Sequence, residues 1–313
     1  MKMDISIIIP AYNEEQNIKP LYESIVDILK PLNKNYEIIF IDDGSMDNTF
    51  REIDNLRSLD ERVKCIQLRK NFGKSLALAI GFNKTLGDIV ITMDADMQDD
   101  PEEIPRFIEK IQEGWDLVSG WRQIRKDTFE KRLSSRLFNI IVSKVSGLRL
   151  HDFNCGFKVY RRKVLKTIKI YGELHRFIPM IAHSYGFKIC EIPIRHHKRQ
   201  FGKTKFGKER YLAGLFDLFT TAFIGRYLRK PLHLLGRVSL IASASGILLL
   251  IYVSVMKFVF GQTGNRPALT ISVFLLGLAV QIFLFGLIAD LVSYTNQRYN
   301  FEEEEDFISK KLF

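Results

Sequence analysis

Two aspartates one residue apart, Asp94 and Asp96, with Gln98 two positions on, follow the apolar run Ile89-Val90-Ile91-Thr92-Met93. Such a run reads as a buried strand, which delivers two carboxylates and an amide to its C-terminal tip. That edge is where open α/β sheets bind ligands. Hard oxygen donors at this spacing suit Mg²⁺ or Mn²⁺ held jointly with substrate phosphates. A solvated Asp-rich turn is the alternative reading of the same residues.

Two further strand ends carry polar groups of the same kind. Ile5 to Ile9 stops at Pro10-Ala11-Tyr12-Asn13-Glu14, where a ring and a carboxylate suit stacking on a base and holding a ribose or base edge. Asn13 there also suits a helix N-cap. Glu37 to Ile41 stops at Asp42-Asp43-Gly44-Ser45-Met46-Asp47, where Gly44 permits a sharp turn and one carboxylate can accept from a nucleoside. Ser45 or Asp47 also suits a cap of the following helix. Arg69-Lys70-Asn71-Phe72-Gly73-Lys74-Ser75 resembles the end of a phosphate loop but lacks its upstream glycine, since 67 is Gln and 68 is Leu. A P-loop ATPase is excluded. A glycine among basic residues at a strand-to-helix turn still suits a diphosphate.

The elements that must position these groups alternate. Helical spacing over Glu14–Leu29, from about Asp47, and over Gly73–Thr85 separates strands at Ile5–Ile9, Tyr36–Ile41, Val63–Leu68 and Asp88–Met93. A further strand is expected at Asp116–Gly120. Strands alternating with helices imply a doubly wound, mostly parallel sheet.

The 313 residues carry a net charge of +10, unevenly placed. Between Arg122 and Lys230 there are 26 Lys/Arg against 7 Asp/Glu, a local +19 that leaves −9 for the rest. This basic stretch leads directly to two uncharged runs, Val238–Met256 of 19 residues and Ala268–Ala289 of 22. Each is long enough to cross a ~30 Å hydrocarbon core as a helix. An anionic lipid surface or a lipid phosphate is therefore a more economical partner than nucleic acid. Only Lys257 to Arg266 joins the runs, so both outer ends are expected on one face, which Arg226, Arg229, Lys230 and Arg237 mark as cytoplasmic. A start directly on a strand, with no apolar leader, places the large domain in the cytosol as well. Residues 131–146 and 208–227 are amphipathic with basic ends, suited to packing on the sheet or to lying in a membrane interface. Cys65, Cys155 and Cys190 show no paired or metal spacing and read as reduced thiols.

Taken in order, Pro10-Ala11-Tyr12-Asn13-Glu14, Asp42-Asp43-Gly44-Ser45, Asp94-Ala95-Asp96 and Gln98-Asp99-Asp100-Pro101 resemble the motifs of family 2 glycosyltransferases. The nearest branch is the polyprenyl-phosphate group, similar to dolichol-phosphate mannose synthases. The two-span tail resembles bacterial enzymes that load glucose or a related sugar onto undecaprenyl phosphate. The resemblance implies a GT-A sheet followed by interface helices and a two-helix transmembrane hairpin.

It also implies roles. Asp94, Asp96 and Gln98 match the metal site, for Mg²⁺ or Mn²⁺, with Asp96 also catalytic. Pro10, Tyr12, Glu14, Asp43, Gly73 and Asp94 fall at nucleotide-sugar positions. Arg199 and Lys205 do so in a loop, Arg199-Gln200-Phe201-Gly202-Lys203-Thr204-Lys205, that in the family closes over the donor diphosphate. Arg122 and Arg136 match the acceptor-phosphate arginines, and Asp152 matches the acidic residue that positions the nucleophile or acts as nominal base. An Asx turn before Gly156 is the other reading of Asp152. His175 and Arg176 are expected near sugar or acceptor.

The implied enzyme is an inverting hexosyltransferase, from a nucleotide-diphosphate sugar (UDP-glucose first) to undecaprenyl phosphate. A GDP-mannose-dependent mannosyltransferase and a non-catalytic membrane protein that binds nucleotide sugars are the alternatives. A processive synthase is excluded, because Trp115 and Trp121 follow Gly114 and Gly120 and no Gln-x-x-Arg-Trp motif exists. The expected division is a cytosolic catalytic domain at 1–205 and a juxtamembrane helix at 206–232. The membrane region at 233–290 has helices at about 236–257 and 267–289, and a charged cytosolic tail occupies 291–313. The expected location is the bacterial inner membrane, as a multi-pass protein with room for homo-oligomers through its spans.

Overall fold

A computed structural model of the chain describes residues 3–123, 139–140, 142–144, 146–168, 174–197, 231–259, 261 and 266–309, with the side chains of 266 and 293–309 left undescribed. Two compact units divide it, Met1–Thr221 and Ala222–Phe313.

Among the described residues of the first unit, seven strands form one sheet: β1 (Ile5–Ala11), β2 (Tyr36–Asp42), β3 (Val63–Gln67), β4 (Ile89–Thr92), β5 (Leu117–Arg122), β6 (Lys158–Arg161) and β7 (Ile189–Ile194). Their order across the sheet is β3-β2-β1-β4-β6-β5-β7. β1 lies in parallel register between β2 and β4, with Ile8 beside both Ile39 and Thr92. The chain therefore steps outward from β1 to β3 and then returns to the other side of β1. That reversal is the switch point at which a crevice opens beyond the strand ends. β6 is antiparallel to both neighbours, β4 and β5, and β7 again runs parallel to β5. Because β6 is reversed, its first residue, Lys158, comes to the edge where β4 and β5 finish. Neither β6 nor β7 is apparent in the sequence pattern.

The buried strands read as continuous apolar runs because helices cover both faces. Helices α1 (Glu15–Leu29), α2 (Thr49–Leu59), α3 (Lys74–Lys84) and α4 (Ile104–Gln112) follow β1, β2, β3 and β4 in turn. Ile18, Leu21, Ile25 and Leu29 of α1 are at most 1% exposed and share the core with Ile7, Ile9, Phe40 and Ile91. Each such side chain contributes about 1.5–3 kcal/mol by leaving water. Two short helices, α5 (Arg162–Thr167) and α6 (Ile178–Ser184), flank the later strands. At the opposite edge from the switch point, buried Glu37 accepts from Ser6 Oγ at 2.5 Å and from the Leu86 amide at 2.7 Å, and pairs with Lys64 at 2.5 Å.

The second unit holds α7 (Leu232–Phe258) and α8 (Arg266–Ser309). The apolar stretches Leu232–Phe258 and Pro267–Val292 have mean hydropathies of 2.2 and 2.6 and are long enough to cross a membrane. Large apolar side chains face outward: Leu240 is 71% exposed and Phe274 66%. Inside the hairpin, Ser239 Oγ donates to the Ala279 carbonyl at 2.9 Å, and Gly246 lies against Leu276. α8 continues through residues 302–306, expected as a solvated tail, so the acidic run is helical. Most of 131–146 and nearly all of 206–232 lie outside the described residues.

Candidate active site

At the end of β1, Asn13 adopts a positive φ of 50° that turns the chain into α1. Asn13 does not cap that helix: Glu14 holds the N-cap position, and the Asn13 side chain instead accepts from the Met46 amide at 2.8 Å. Glu14 is buried and accepts from Asn17 Nδ2 at 2.6 Å, while Tyr12 and Pro10 are half-buried at the strand tip. From β2, Asp43 accepts at both carboxylate oxygens, from the Phe72 amide at 2.8 Å and the Gly73 amide at 2.9 Å. Burial pushes this carboxyl up, and the two amides work against that. Asp43 thus pins the 69–75 loop, and the Gly73 amide expected to face a diphosphate is engaged by Asp43. Gly73 takes φ 93°, which a side-chain-bearing residue rarely adopts, as it starts α3. Neither Ser45 nor Asp47 is the N-cap of α2, a place taken by Asn48, although Asp47 just before it accepts from the Thr49 amide at 2.9 Å.

The β4 tip delivers Asp94 into an ion pair with Lys74 of α3. Burial works against the charge on Asp94, but the Lys74 ammonium outweighs it and holds the carboxyl below the usual range. Asp96 accepts from the Gln98 amide at 3.2 Å, around Met97 at φ 59°. Gln98 donates from Nε2 to the His197 carbonyl at 3.4 Å, and the His197 amide donates back to the Gln98 carbonyl at 2.8 Å. His197 Nε2 also meets Asp100 at 3.0 Å. His197 therefore braces the acidic loop, and His196 joins it through a backbone bridge to Asp99.

β5 ends on Arg122. Its guanidinium forks onto Asp152, Nε to Oδ2 at 2.8 Å and Nη2 to Oδ1 at 3.2 Å. Asp152 is 1% exposed. Burial disfavours the arginine's charge, but the carboxylate outweighs this and holds its pKa above the ordinary value. The Asx reading of Asp152 holds alongside, since Oδ1 also accepts from the Asn154 amide at 3.2 Å. Cys155 is buried and its thiol is pushed up to about 12, so it stays protonated and is no nucleophile.

Between the β4 and β5 tips, the reversed β6 brings in a group that no motif announced. Lys158 is 4% exposed and donates to the Cys155 carbonyl. Burial pushes its ammonium down to about 8, with Lys74 and Arg122 adding to the effect. Lys158 lines a small cavity with Lys74, Asn154, Gly156, His175 and Arg176. His175 Nδ1 lies 2.6 Å from Ser75 Oγ. Burial, reinforced by Lys74, Arg176 and Lys158, pushes His175 down to about 2, so the imidazole is neutral.

Asp94, Asp96 and Gln98 form an all-oxygen donor set of the kind a hard divalent cation takes. Gly156 leaves room for the Asp94 carboxylate: a Cβ there would meet Asp94 Oδ2 at 2.7 Å. Among the described residues, no three His, Cys, Asp or Glu side chains converge on a point, so the protein offers part of a coordination shell rather than a closed cage. That fits a metal completed by substrate phosphate and water. Of the expected site residues, Arg136, Arg199 and Lys205 lie outside the described residues.

Residues 6–169, more than half of the chain, match the family model for glycosyl transferase family 2. Dodecaprenyl-phosphate galacturonate synthase of Rhizobium johnstonii is 32% identical over 99% of this chain and 93% of its own length. Undecaprenyl-phosphate 4-deoxy-4-formamido-L-arabinose transferase of Proteus mirabilis is 31% identical over 95% and 89%. Among solved structures, glucosyl-3-phosphoglycerate synthase of Mycobacterium tuberculosis superposes with a TM-score of 0.53 at 20% identity, over 71% of this chain and 79% of that one, a likeness of fold. The chain belongs to glycosyl transferase family 2, an enzyme of the branch that builds polyprenyl-phosphate sugars.

Proposed function

We propose that the chain transfers a sugar, with inversion, from a nucleotide-diphosphate sugar to a polyprenyl phosphate at a membrane surface. The observation that carries this reading is the meeting, at one sheet edge, of the acidic β4 tip with the cations of Arg122, Lys74 and Lys158. A site that joins two phosphorylated substrates must hold both anions close without prohibitive repulsion, and this edge supplies the charge to do so.

The nucleoside sits at the β1 and β2 tips, against Pro10, Tyr12 and Glu14, with Asp43 fixing the 69–75 loop beneath the diphosphate. Asp94, Asp96 and Gln98 hold a divalent cation, Mg²⁺ or Mn²⁺, which when bound supplies positive charge to the departing nucleoside diphosphate. A solved structural neighbour carries Mn²⁺ with UDP-glucose, which supports a metal of this kind. The acceptor phosphate is already ionised at neutral pH, with a second pKa of about 6. It attacks the anomeric carbon without a strong base. Asp152 therefore serves to orient Arg122, whose remaining N–H groups face the acceptor oxygens. Arg136, Arg199 and Lys205 join this scheme from the family resemblance alone.

The two apolar helices anchor the enzyme as a multi-pass protein of the bacterial inner membrane, with the catalytic unit in the cytosol. UDP-glucose heads the donor panel, followed by GDP-mannose, UDP-galacturonate and UDP-4-deoxy-4-formamido-L-arabinose. The test is transfer of radiolabelled sugar to undecaprenyl phosphate by the purified full chain with Mn²⁺. Product from one donor is the expected result. Tight nucleotide binding with no transfer from any donor would instead establish a non-catalytic binding protein. Asp96→Ala is expected to abolish metal-dependent donor binding while membrane insertion is unchanged; wild-type turnover in that variant refutes the metal assignment.

A further inference from the structure

Lys158 adds to the positive charge of the edge but is assigned no substrate contact in the scheme above, and its position is hard to explain as structure alone. Lys158 is 4% exposed and, among the described residues, its ammonium donates to a neutral carbonyl with no carboxylate in ion-pair range. A buried charge without an ion-pair partner is costly, and a Met or Leu would fill the same volume without that cost. Nor is the side chain sealed in packing. It lines a cavity with Lys74, Arg176, His175, Asn154 and Gly156, and Gly156 is also the residue against which Asp94 lies. The cavity thus adjoins the acidic β4 tip. The nearby carboxylates are already engaged: Asp94 is paired with Lys74, and Asp152, whose charge favours the Lys158 ammonium, is paired with Arg122. The neutral His175 adds hydrogen-bonding capacity but no charge.

Resting on the transfer reaction proposed above, we infer that Lys158 is a further substrate-contacting residue, its buried ammonium holding an anionic oxygen of the substrate in the cavity beside Asp94. The ligand chemistry is a phosphoryl or carboxylate oxygen. It comes from the donor diphosphate, from an acidic group on the transferred sugar, or from the acceptor phosphate. The reversed strand is what makes this contact available: a parallel β6 would carry residue 158 to the far edge of the sheet.

The test compares wild type, Lys158→Met and Lys158→Arg as full chains in detergent. UDP binding, kcat/KM for UDP-glucose and UDP-galacturonate, and KM for undecaprenyl phosphate are measured for each. Lys158→Met is expected to lose about 10- to 100-fold, the weight of one charge-assisted hydrogen bond. Lys158→Arg is expected to recover most of that loss. A uniform loss that includes UDP itself assigns the oxygen to the donor diphosphate. A loss confined to the uronic donor assigns it to the sugar, and one confined to the lipid KM assigns it to the acceptor. Unchanged values in all arms overturn the inference while leaving the transfer reaction standing. A wild-type chain that binds no nucleotide sugar and no polyprenyl phosphate sinks both. Should Lys158→Met fail to fold, a structure of the wild type with donor and Mn²⁺ decides: Nζ is expected within about 3.2 Å of a ligand oxygen. Nζ remaining on the Cys155 carbonyl, clear of every ligand oxygen, overturns the inference.

Discussion

Arg122 and Asp152 form a fork-to-fork ion pair in which the carboxylate is 1% exposed and the guanidinium 18%. Each residue came from a separate motif with a separate role, arginine for the acceptor and aspartate as nominal base. Their pairing makes them one device. The aspartate fixes the arginine's plane, and the arginine compensates a charge that has almost no water around it.

Arg122→Ala strips the compensation from Asp152, and breaking a buried pair costs about 3–5 kcal/mol. A drop in thermal midpoint is therefore expected together with a larger rise in KM for the lipid than for the nucleotide sugar. Arg122→Lys keeps the charge but not the fork, and should lose activity by on the order of 10²-fold with less destabilisation. Calorimetry and steady-state kinetics on the two variants check this. Equal KM effects on both substrates count against an acceptor role.

Gly156→Ala tests the space beside Asp94. The added methyl would stand 2.7 Å from Asp94 Oδ2, so the carboxylate must move. The expected outcome is a rise of about tenfold or more in the Mn²⁺ concentration for half-maximal activity, with little change in the melting temperature. An unaltered metal titration would show that the position of Asp94 is not critical.

Lys158 and His175 give stability a dependence on pH with a definite sign. Both are bases whose folded pKa is depressed, from 10.5 to about 8 and from 6.5 to about 2. In each window the unfolded chain binds the extra proton, so stability rises with pH. For His175 the contribution is complete above pH 6.5 and falls away as pH drops toward 2. For Lys158 a penalty is present below pH 8 and is relieved as pH rises to 10.5. Lys158→Met without substrate is therefore expected to be more stable than wild type at pH 7, by on the order of 1–3 kcal/mol, with the gap closing near pH 10.5. Denaturant titrations at pH 7 and 10.5 measure it. A less stable Met variant at pH 7 would mean the ammonium is compensated within the fold.

Gly246→Leu tests the hairpin. A Cβ at 246 already comes within 3.0 Å of Leu276, so a branched side chain forces α7 and α8 apart. Cysteine crosslinking between residues 239 and 279, whose side chain and carbonyl meet at 2.9 Å, should fall in this variant. Undiminished crosslinking would show that the helices repack around the bulk.

The tips of β1, β2 and β4 were legible because a short apolar run that ends in Asp, Asn or Gly marks a strand and its exit together. The two apolar helices were legible from length, and they extend to Leu232–Phe258 and Pro267–Val292 rather than about 236–257 and 267–289. β6 escaped notice because its four residues, Lys158–Arg161, carry a charge at each end and leave no alternation to detect. β7 escaped because Glu191 and Pro193 interrupt its apolar pattern, which an edge strand tolerates. Asn13 was misread as a cap because its side chain reaches 33 residues along the chain, to Met46.

From the one-dimensional chain alone came the family, the alternating architecture, the acidic strand tip and the pair of apolar spans. These are local signals, written in consecutive residues. Only the folded sheet decided that Asp152 answers Arg122, that Asp43 holds the 69–75 loop, and that Lys158 shares a cavity with Gly156, against which Asp94 lies. Those relationships join segments 30 to 62 residues apart, through the reversed strand and loop contacts. Charge compensation and burial are properties of neighbours in space, and no spacing along the chain records them.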